Sequence, residues 1–185
     1  QASLQDWDSL WFFEYPTGTS EYTTGFFDHS GHPGKMANNL IAAAMFRRGD
    51  VAPAGLEYTL AFPPDTELNA AVTRGGAWSI ADGSHVGFPG FLSVSRVALS
   101  AGSEAEGLTG FTAPPASPSV VSDTGEIKWD FTLPARGAVT VKTARTKAVV
   151  GFAAGRTFDL DGIAITPGET RQDWATIGFT ALEGE

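Results

Sequence analysis

The sequence predicts a mainly β protein: an antiparallel β-sandwich with one N-terminal helix, in the form of a βα appendage. Short segments in which apolar and polar residues alternate recur between residues 56 and 182. The 22 Gly and 11 Pro residues provide the many tight turns that such a fold needs. One segment near the N terminus instead has apolar residues at helical spacing. We therefore divide the chain into a strand–helix segment, residues 1–50, and a β-sandwich domain, residues 51–185.

The N-terminal segment begins with an aromatic stretch. Residues 6–15 are rich in Trp, Phe and Tyr, which is typical of a strand that is buried on both faces. Residues 33–49 follow as a helix, with Pro at its first turn, an apolar stripe that includes Met36, Leu40 and Ala44, and Gly at its left-handed cap. The aromatic strand needs a cover. We expect it to fold onto the sandwich, to join its sheet, or to form a dimer.

The rest of the chain shows strand patterns of period two. The pair Asp161-Gly162 separates two of these strands and predicts a two-residue hairpin. Residues 67–72 are ambiguous and fit a short helix, and residues 100–119 are expected to be a long loop because they contain few apolar anchors. The predicted strands are residues 56–62, 91–99, 127–131, 138–143, 148–152, 157–160, 163–165 and 174–182.

Composition excludes several classes of partner and chemistry. A formal net charge of −9 argues against nucleic acid and against an anionic membrane surface, since both require clustered Lys and Arg. The absence of Cys excludes disulfides, thiolate metal sites and a cysteine nucleophile. The sequence also contains no apolar run near the ~20 residues that span a bilayer.

Two parts of the chain resemble a known enzyme family. The first part comprises QDWD (5–8), FEY (13–15), GFFD (25–28), HPGKM (32–36) and AAAMFRRGDV (42–51). It resembles the last strand and helix of a TIM-barrel glycoside hydrolase, from the large retaining clan that includes β-galactosidases and cellulases. The second part, SDTGEIKWD (122–130) with TARTKA (143–148), resembles the C-terminal β-domain of such enzymes.

The resemblance implies a non-catalytic accessory or carbohydrate-binding module of a polysaccharide-degrading glycoside hydrolase, with an extracellular or periplasmic location. Its partner would be a polysaccharide or oligosaccharide. Two alternatives stay open: part of an active hydrolase whose catalytic barrel residues lie on a missing segment, or a structural interaction domain without sugar affinity. The catalytic glutamates of the family match no residue here, so we assign no catalytic residue and do not expect an enzyme from this chain by itself.

Glu14 lies at the carboxyl end of the predicted first strand, where barrel active sites form. It is therefore a candidate to line a substrate cleft in a parent enzyme, although a polar residue at a strand exit is the favoured interpretation. A retaining glycosidase needs two carboxylates, and Glu14 with Asp28 is the pair near this predicted barrel end. We explain Asp28 better by the dipole of the following helix.

Exposed aromatic side chains are the expected sugar ligands, because the apolar face of a pyranose ring matches an aromatic face. Trp78 and Phe88 flank a loop-like stretch and are the preferred candidates. For Trp129 and Trp174 core packing is favoured, since both lie in alternating strands. The candidate sugar-binding residues are Trp78, Phe88, Phe91, Trp129, Trp174 and Glu14.

The sequence assigns no metal site and no cofactor. The compact cluster Asp28, His29 and His32 has too few converging ligands, and we interpret it as a structural loop. Turn carboxylates of the β-region leave a structural calcium open, since calcium prefers such oxygen ligands. These carboxylates are Asp123, Glu126, Asp159 and Asp161.

Overall fold

The computed structural model describes residues 1–11, 33–73, 91–102, 104, 107–110, 112, 117–133 and 135–184. Within these residues the protein is mainly β, with five-stranded, three-stranded and two-stranded sheets and a helix near the N terminus. This β-rich, sandwich-like architecture confirms the predicted fold class.

The secondary structure elements follow the sequence patterns closely. Helix α1 spans Pro33–Phe46, and the ambiguous segment forms helix α2, Pro64–Thr73. Short 3₁₀ turns occur at Phe91–Ser93 and Arg171–Asp173. The strands are β1 Glu57–Phe62, β2 Arg96–Ala101, β3 Gly107–Thr109, β4 Ser119–Val121, β5 Ile127–Asp130, β6 Ala138–Lys142, β7 Thr146–Phe152, β8 Phe158–Asp159, β9 Ala164–Ile165 and β10 Trp174–Thr180.

The central feature is the antiparallel sheet with strand order β10-β7-β6-β5-β4. Side chains alternate between its two faces along each strand. One face, which we call the hairpin face, carries Ala138, Val149 and Ala175 into a buried cluster. The opposite face, which we call the helix face, carries Ile127, Val141 and Ala148 into a second buried cluster. Both faces of the same sheet therefore contribute to a hydrophobic core.

The β8–β9 hairpin covers the hairpin face with Phe158, Leu160 and Ile165. Its turn is Asp161-Gly162, as the sequence predicts. Both turn residues have positive φ, 64° and 89°, which is the geometry of a type I′ turn. The backbone N–H of Leu160 closes the turn by donating to the carbonyl of Ile163 at 2.9 Å.

The N-terminal residues and helix α1 cover one end of the helix face. Leu4, 1% exposed, packs in the same cluster as Val51, Ala54 and Ile127, with Met45 of α1 against it.

Helix α1 approaches β10 closely at Gly178, because a Cβ there would lie 2.7 Å from Cδ1 of Ile41. Leu40, which the sequence places in the packing stripe, is instead 65% exposed.

The three-stranded sheet, order β2-β1-β3, lies beside this assembly. Strands β1 and β2 are parallel, and α2 lies in the connection between them, as a parallel pair requires a crossover. The carboxylate of Asp123 accepts from the backbone N–H of Leu56 at 2.6 Å, and the N–H of Asp123 donates to the carbonyl of Val94 at 2.7 Å. These bonds join the three-stranded sheet to the β4–β5 turn.

Three local predictions are wrong. The strand predicted at residues 6–15 is wrong over residues 6–11, because turn hydrogen bonds bind the first residues together and Asp6 has a φ of 58°, and residues 12–15 lie outside the described residues. Trp7 and Trp11 are accordingly exposed, at 53% and 90%. Residues 91–93, predicted as the start of a strand, form a 3₁₀ turn before β2, and residues 107–109 form β3 within the predicted loop.

In the part of the chain that the structure describes, no helix is long and apolar enough to cross a membrane.

Candidate functional site

Of the candidate residues taken from the sequence, Glu14, Trp78 and Phe88 lie outside the described residues, as does the Asp28, His29 and His32 cluster. Phe91 begins the 3₁₀ turn that precedes β2. Trp129 and Trp174 lie in β5 and β10 of the central sheet, and the strand register relates them to each other.

Trp129 and Trp174 lie on the same face of the sheet. Trp129 pairs with Val139 on β6, Val139 pairs with Val150 on β7, and directly paired residues point to one side. Phe152 lies two residues beyond Val150 and pairs with Trp174 on β10. This is the helix face, at the end that α1 and the N-terminal residues leave uncovered.

Aromatic rings meet edge to face at both sides of this surface. The Trp129 and Phe131 ring centroids are 5.5 Å apart with planes at 72°, and those of Phe152 and Trp174 are 5.3 Å apart at 81°. Trp174 is 48% exposed, and the other three are half-buried. Core packing thus explains Trp129 in part and Trp174 poorly. We call the four residues Trp129, Phe131, Phe152 and Trp174 the aromatic platform.

A groove of about 170 Å³ adjoins the platform at the end of the sheet. Phe152 belongs to both. The guanidinium of Arg136 lies over the Phe152 ring, 5.3 Å from its centroid, and forms an ion pair with Asp173. Both charged side chains are half-exposed. The groove is lined by Leu133, Arg136, Phe152, Ala154, Arg156 and Asp173.

Left-handed backbone conformations hold both partners of this ion pair. Ala135, directly before Arg136, has a φ of 58°, and Gln172 and Asp173 have φ values of 61° and 60°. Each such residue costs roughly 1–2 kcal/mol when it is not glycine. The N–H groups of Ala153 and Ala154 both donate to the carbonyl of Asp173, at 2.9 and 3.2 Å, which fixes this turn against the end of β7. Strain of this kind often marks a functional site.

Arg156 separates this groove from a second hollow of about 180 Å³ on the other side. Its Nη2 donates to Asp130 at 2.9 Å, and its guanidinium lies 5.0 Å from the centre of the Phe158 ring. Burial raises the pKa of Asp130, but hydrogen bonds from Thr132 and the charge of Arg156 outweigh it, so this pKa lies below its ordinary value. Asp130 is therefore ionised at neutral pH.

The turn carboxylates considered for calcium have other partners. Glu126 accepts from the N–H of Ala52 at 2.8 Å, and Asp123 accepts from Leu56. Asp159 accepts from the N–H of Asp161, whose own carboxylate lies 4.0 Å from Lys142. Among the described residues, no three His, Cys, Asp or Glu side chains converge as a metal would require.

A larger and mostly apolar groove of about 530 Å³ lies between the N-terminal residues and α1. Leu10, Trp11, Ala43 and Phe46 contribute its apolar lining. Trp11 is the most exposed of the large hydrophobic residues described, so the predicted dimer through this segment would form here. That dimer stays a prediction.

Sequence reasoning missed Phe131, Phe152, Arg136 and Asp173. The alternation in β5 and β7 contained a signal, since it places Trp129 and Phe152 opposite the residues that form the hairpin-face core. No local pattern predicts the pairing of Arg136 with Asp173, because 37 positions separate them.

Comparisons with protein-family models, curated proteins and solved structures found no match to this chain.

Proposed function

We propose that this chain is a non-catalytic carbohydrate-binding module that is accessory to polysaccharide degradation. The aromatic platform is the observation that carries the proposal. It combines an exposed indole and three further aromatic rings on one sheet surface with an adjoining groove that carries Arg136, Arg156 and Asp173. Sugar-binding surfaces need this combination, because a pyranose ring has an apolar face and a rim of hydroxyl groups.

The dimensions of the platform favour an extended glycan over a single sugar. Trp129 and Trp174 lie on strands separated by three interstrand spacings, or about 14 Å. A ligand that reaches from one ring to the other must contain several sugar units. Such a length also helps the affinity, since one stacked ring contributes only about 1 kcal/mol beyond its buried area and association itself costs several kcal/mol.

A binding role suits the charged groups better than catalysis does. Hydrolysis of glycosides requires one carboxyl group that stays protonated to act as general acid. Asp130, whose pKa lies below its ordinary value, is ionised and paired with Arg156. Asp173 is paired with Arg136. Asp130 therefore does not supply this proton at neutral pH.

The test is calorimetry of the purified chain with soluble β-glucan, xylan and galactan, supported by affinity electrophoresis. We expect at least one glycan to bind and Trp174→Ala to weaken that binding about tenfold or more. Trp7→Ala is the matched control, since Trp7 is similarly exposed, at 53%, but belongs to the N-terminal turn and not to the four platform residues. Absence of binding to every glycan, or equal losses in both variants, would refute the proposal and favour an interaction domain without sugar affinity.

Trp129→Ala completes the series. Trp129 is half-buried, so its loss is expected to lower both glycan affinity and the melting temperature. Phe131→Ala removes the edge-to-face partner of Trp129, whose ring centroid lies 5.5 Å away, but keeps the Trp129 indole. Comparing the two variants separates the contribution of this indole to glycan affinity from its contribution to the melting temperature. An unchanged affinity in a folded Trp129→Ala variant would restrict the binding surface to the Phe152–Trp174 side.

A further inference from the structure

The Arg136–Asp173 ion pair is part of the platform rather than a separate surface feature. The Arg136 guanidinium lies over the ring of Phe152, and Asp173 directly precedes Trp174 in the chain. The rings of Phe152 and Trp174 are in edge-to-face contact. A sugar stacked on Trp174 would therefore have a guanidinium and a carboxylate at its rim.

Two ion pairs lie near the platform. Arg136 is paired with Asp173, and Arg156 is paired with Asp130 at 2.9 Å. A carboxylate or sulfate group on the ligand would gain one guanidinium but would lie beside the aspartate that already neutralises it. The net charge of −9 on the chain would also repel a polyanion during approach.

Adjacent sugar hydroxyls match such a pair without this conflict. The guanidinium only donates hydrogen bonds and the carboxylate only accepts them, whereas each hydroxyl does both. One hydroxyl can accept from Arg136 while its neighbour donates to Asp173. The pair is half-exposed on both sides, so its mutual attraction is weak and leaves it free to rearrange around a ligand.

We propose that the Arg136–Asp173 pair makes this site selective for an uncharged glycan and binds adjacent hydroxyls of the sugar that stacks on Trp174. The inference rests on the proposed function and specifies its ligand class. The left-handed residues Ala135, Gln172 and Asp173 support it, because they place the backbone of Arg136 and Asp173 at the edge of the platform while the two side chains can still rearrange.

The first experiment compares ligand classes. Calorimetry is performed with neutral β-glucan, xylan and galactan, with a polyuronate and with a sulfated polysaccharide, each at low and high NaCl. We expect binding of a neutral glycan that changes less than twofold with salt, since no net charge is neutralised, and no binding of the two polyanions. Tighter binding of either polyanion than of every neutral glycan would overturn the inference while leaving the sugar-binding proposal intact.

The second experiment tests the pair itself. Arg136→Ala and Asp173→Asn should each weaken neutral-glycan binding about tenfold. Arg136→Lys should weaken it as well, because a lysine keeps the charge but loses the planar fork of donors. Lys142→Ala is the matched control, since Lys142 forms an exposed ion pair with Asp161 at the opposite end of β6.

The outcomes separate the two proposals. Loss of affinity in the Arg136 and Asp173 variants with an unchanged Lys142→Ala supports the inference. Full affinity in both variants, with the expected loss in Trp174→Ala, overturns the inference and retains the platform. Absence of binding to every glycan overturns both.

Discussion

The carboxylate of Asp50, just beyond helix α1, accepts a hydrogen bond from the hydroxyl of Thr146 at the start of β7. It also accepts from Nε of Arg48 at 2.8 Å, and the Thr180 hydroxyl of β10 lies 3.5 Å away. The Asp50 side chain is only 2% exposed. Arg48 in turn donates to the carbonyl of Ala181 at 2.9 Å. One buried charge thus connects the end of α1 with two strands of the central sheet.

Replacing Asp50 with Ala should lower the free energy of unfolding by about 2–3 kcal/mol, because Arg48 and the Thr146 hydroxyl lose this buried charged acceptor, although Thr146 keeps its contact with the Thr180 hydroxyl. Urea denaturation followed by tryptophan fluorescence measures the change. Glu169→Ala is the control, since Glu169 is exposed, and it should change stability by no more than about 0.5 kcal/mol. Equal stabilities of the two variants would show that this contact contributes little.

Stability should fall in acid partly through the same carboxyl group. The hydrogen bond from Arg48 lowers the pKa of Asp50, burial opposes this, and the Thr146 hydroxyl lowers it further, so the net shift is downward. In the unfolded chain the pKa is about 3.9. The contribution of Asp50 is therefore fully present above about pH 4 and is lost as the pH falls through the lower folded value. Urea midpoints between about pH 6 and 2.5 should decline less steeply in Asp50→Asn than in the natural chain; parallel curves would contradict this assignment.

Gly151 should tolerate no side chain. Its φ is 130°, and a Cβ there would lie 2.5 Å from the carbonyl oxygen of Gly137 and 2.8 Å from Cα of Ala138. Because these are backbone atoms of the neighbouring strand, they cannot move aside cheaply. We expect Gly151→Ala to cost about 2–4 kcal/mol, whereas Gly168→Ala, with nothing within 4 Å, should be nearly neutral. Thermal denaturation of the two variants compares them, and similar melting temperatures would count against the described packing of β6 and β7.

Leu4 should matter for stability as much as a central core residue. It is 1% exposed and packs with Ile127, Val141 and Ala148 of the central sheet. Leu4→Ala should therefore cost about 2–4 kcal/mol. Leu182→Ala, at a position that is 72% exposed, is the matched control. If removal of the Leu4 side chain were as mild as the control, the N-terminal residues would not be part of the core.

The platform illustrates how far sequence reasoning reaches. Trp129 and Trp174 are recognisable as candidates, because an indole in an alternating strand must face either the core or the surface. Which face each occupies depends on the register across β5, β6, β7 and β10 and on what covers each face. Trp174 is exposed and Ile127 is buried although both lie on the helix face. The reason is that Leu4 and α1 pack against the end of this face that carries Ile127.

The sequence by itself determined the local structure of this protein. Helix α1, the β8–β9 turn at Asp161-Gly162 and most strands of the central sheet follow from periodicity, caps and turn residues, which act over a few neighbouring positions. Only the tertiary structure decided that β1 and β2 are parallel and that Arg136 meets Asp173 beside Trp174. These features depend on contacts between residues far apart in the chain, for which local patterns contain no information.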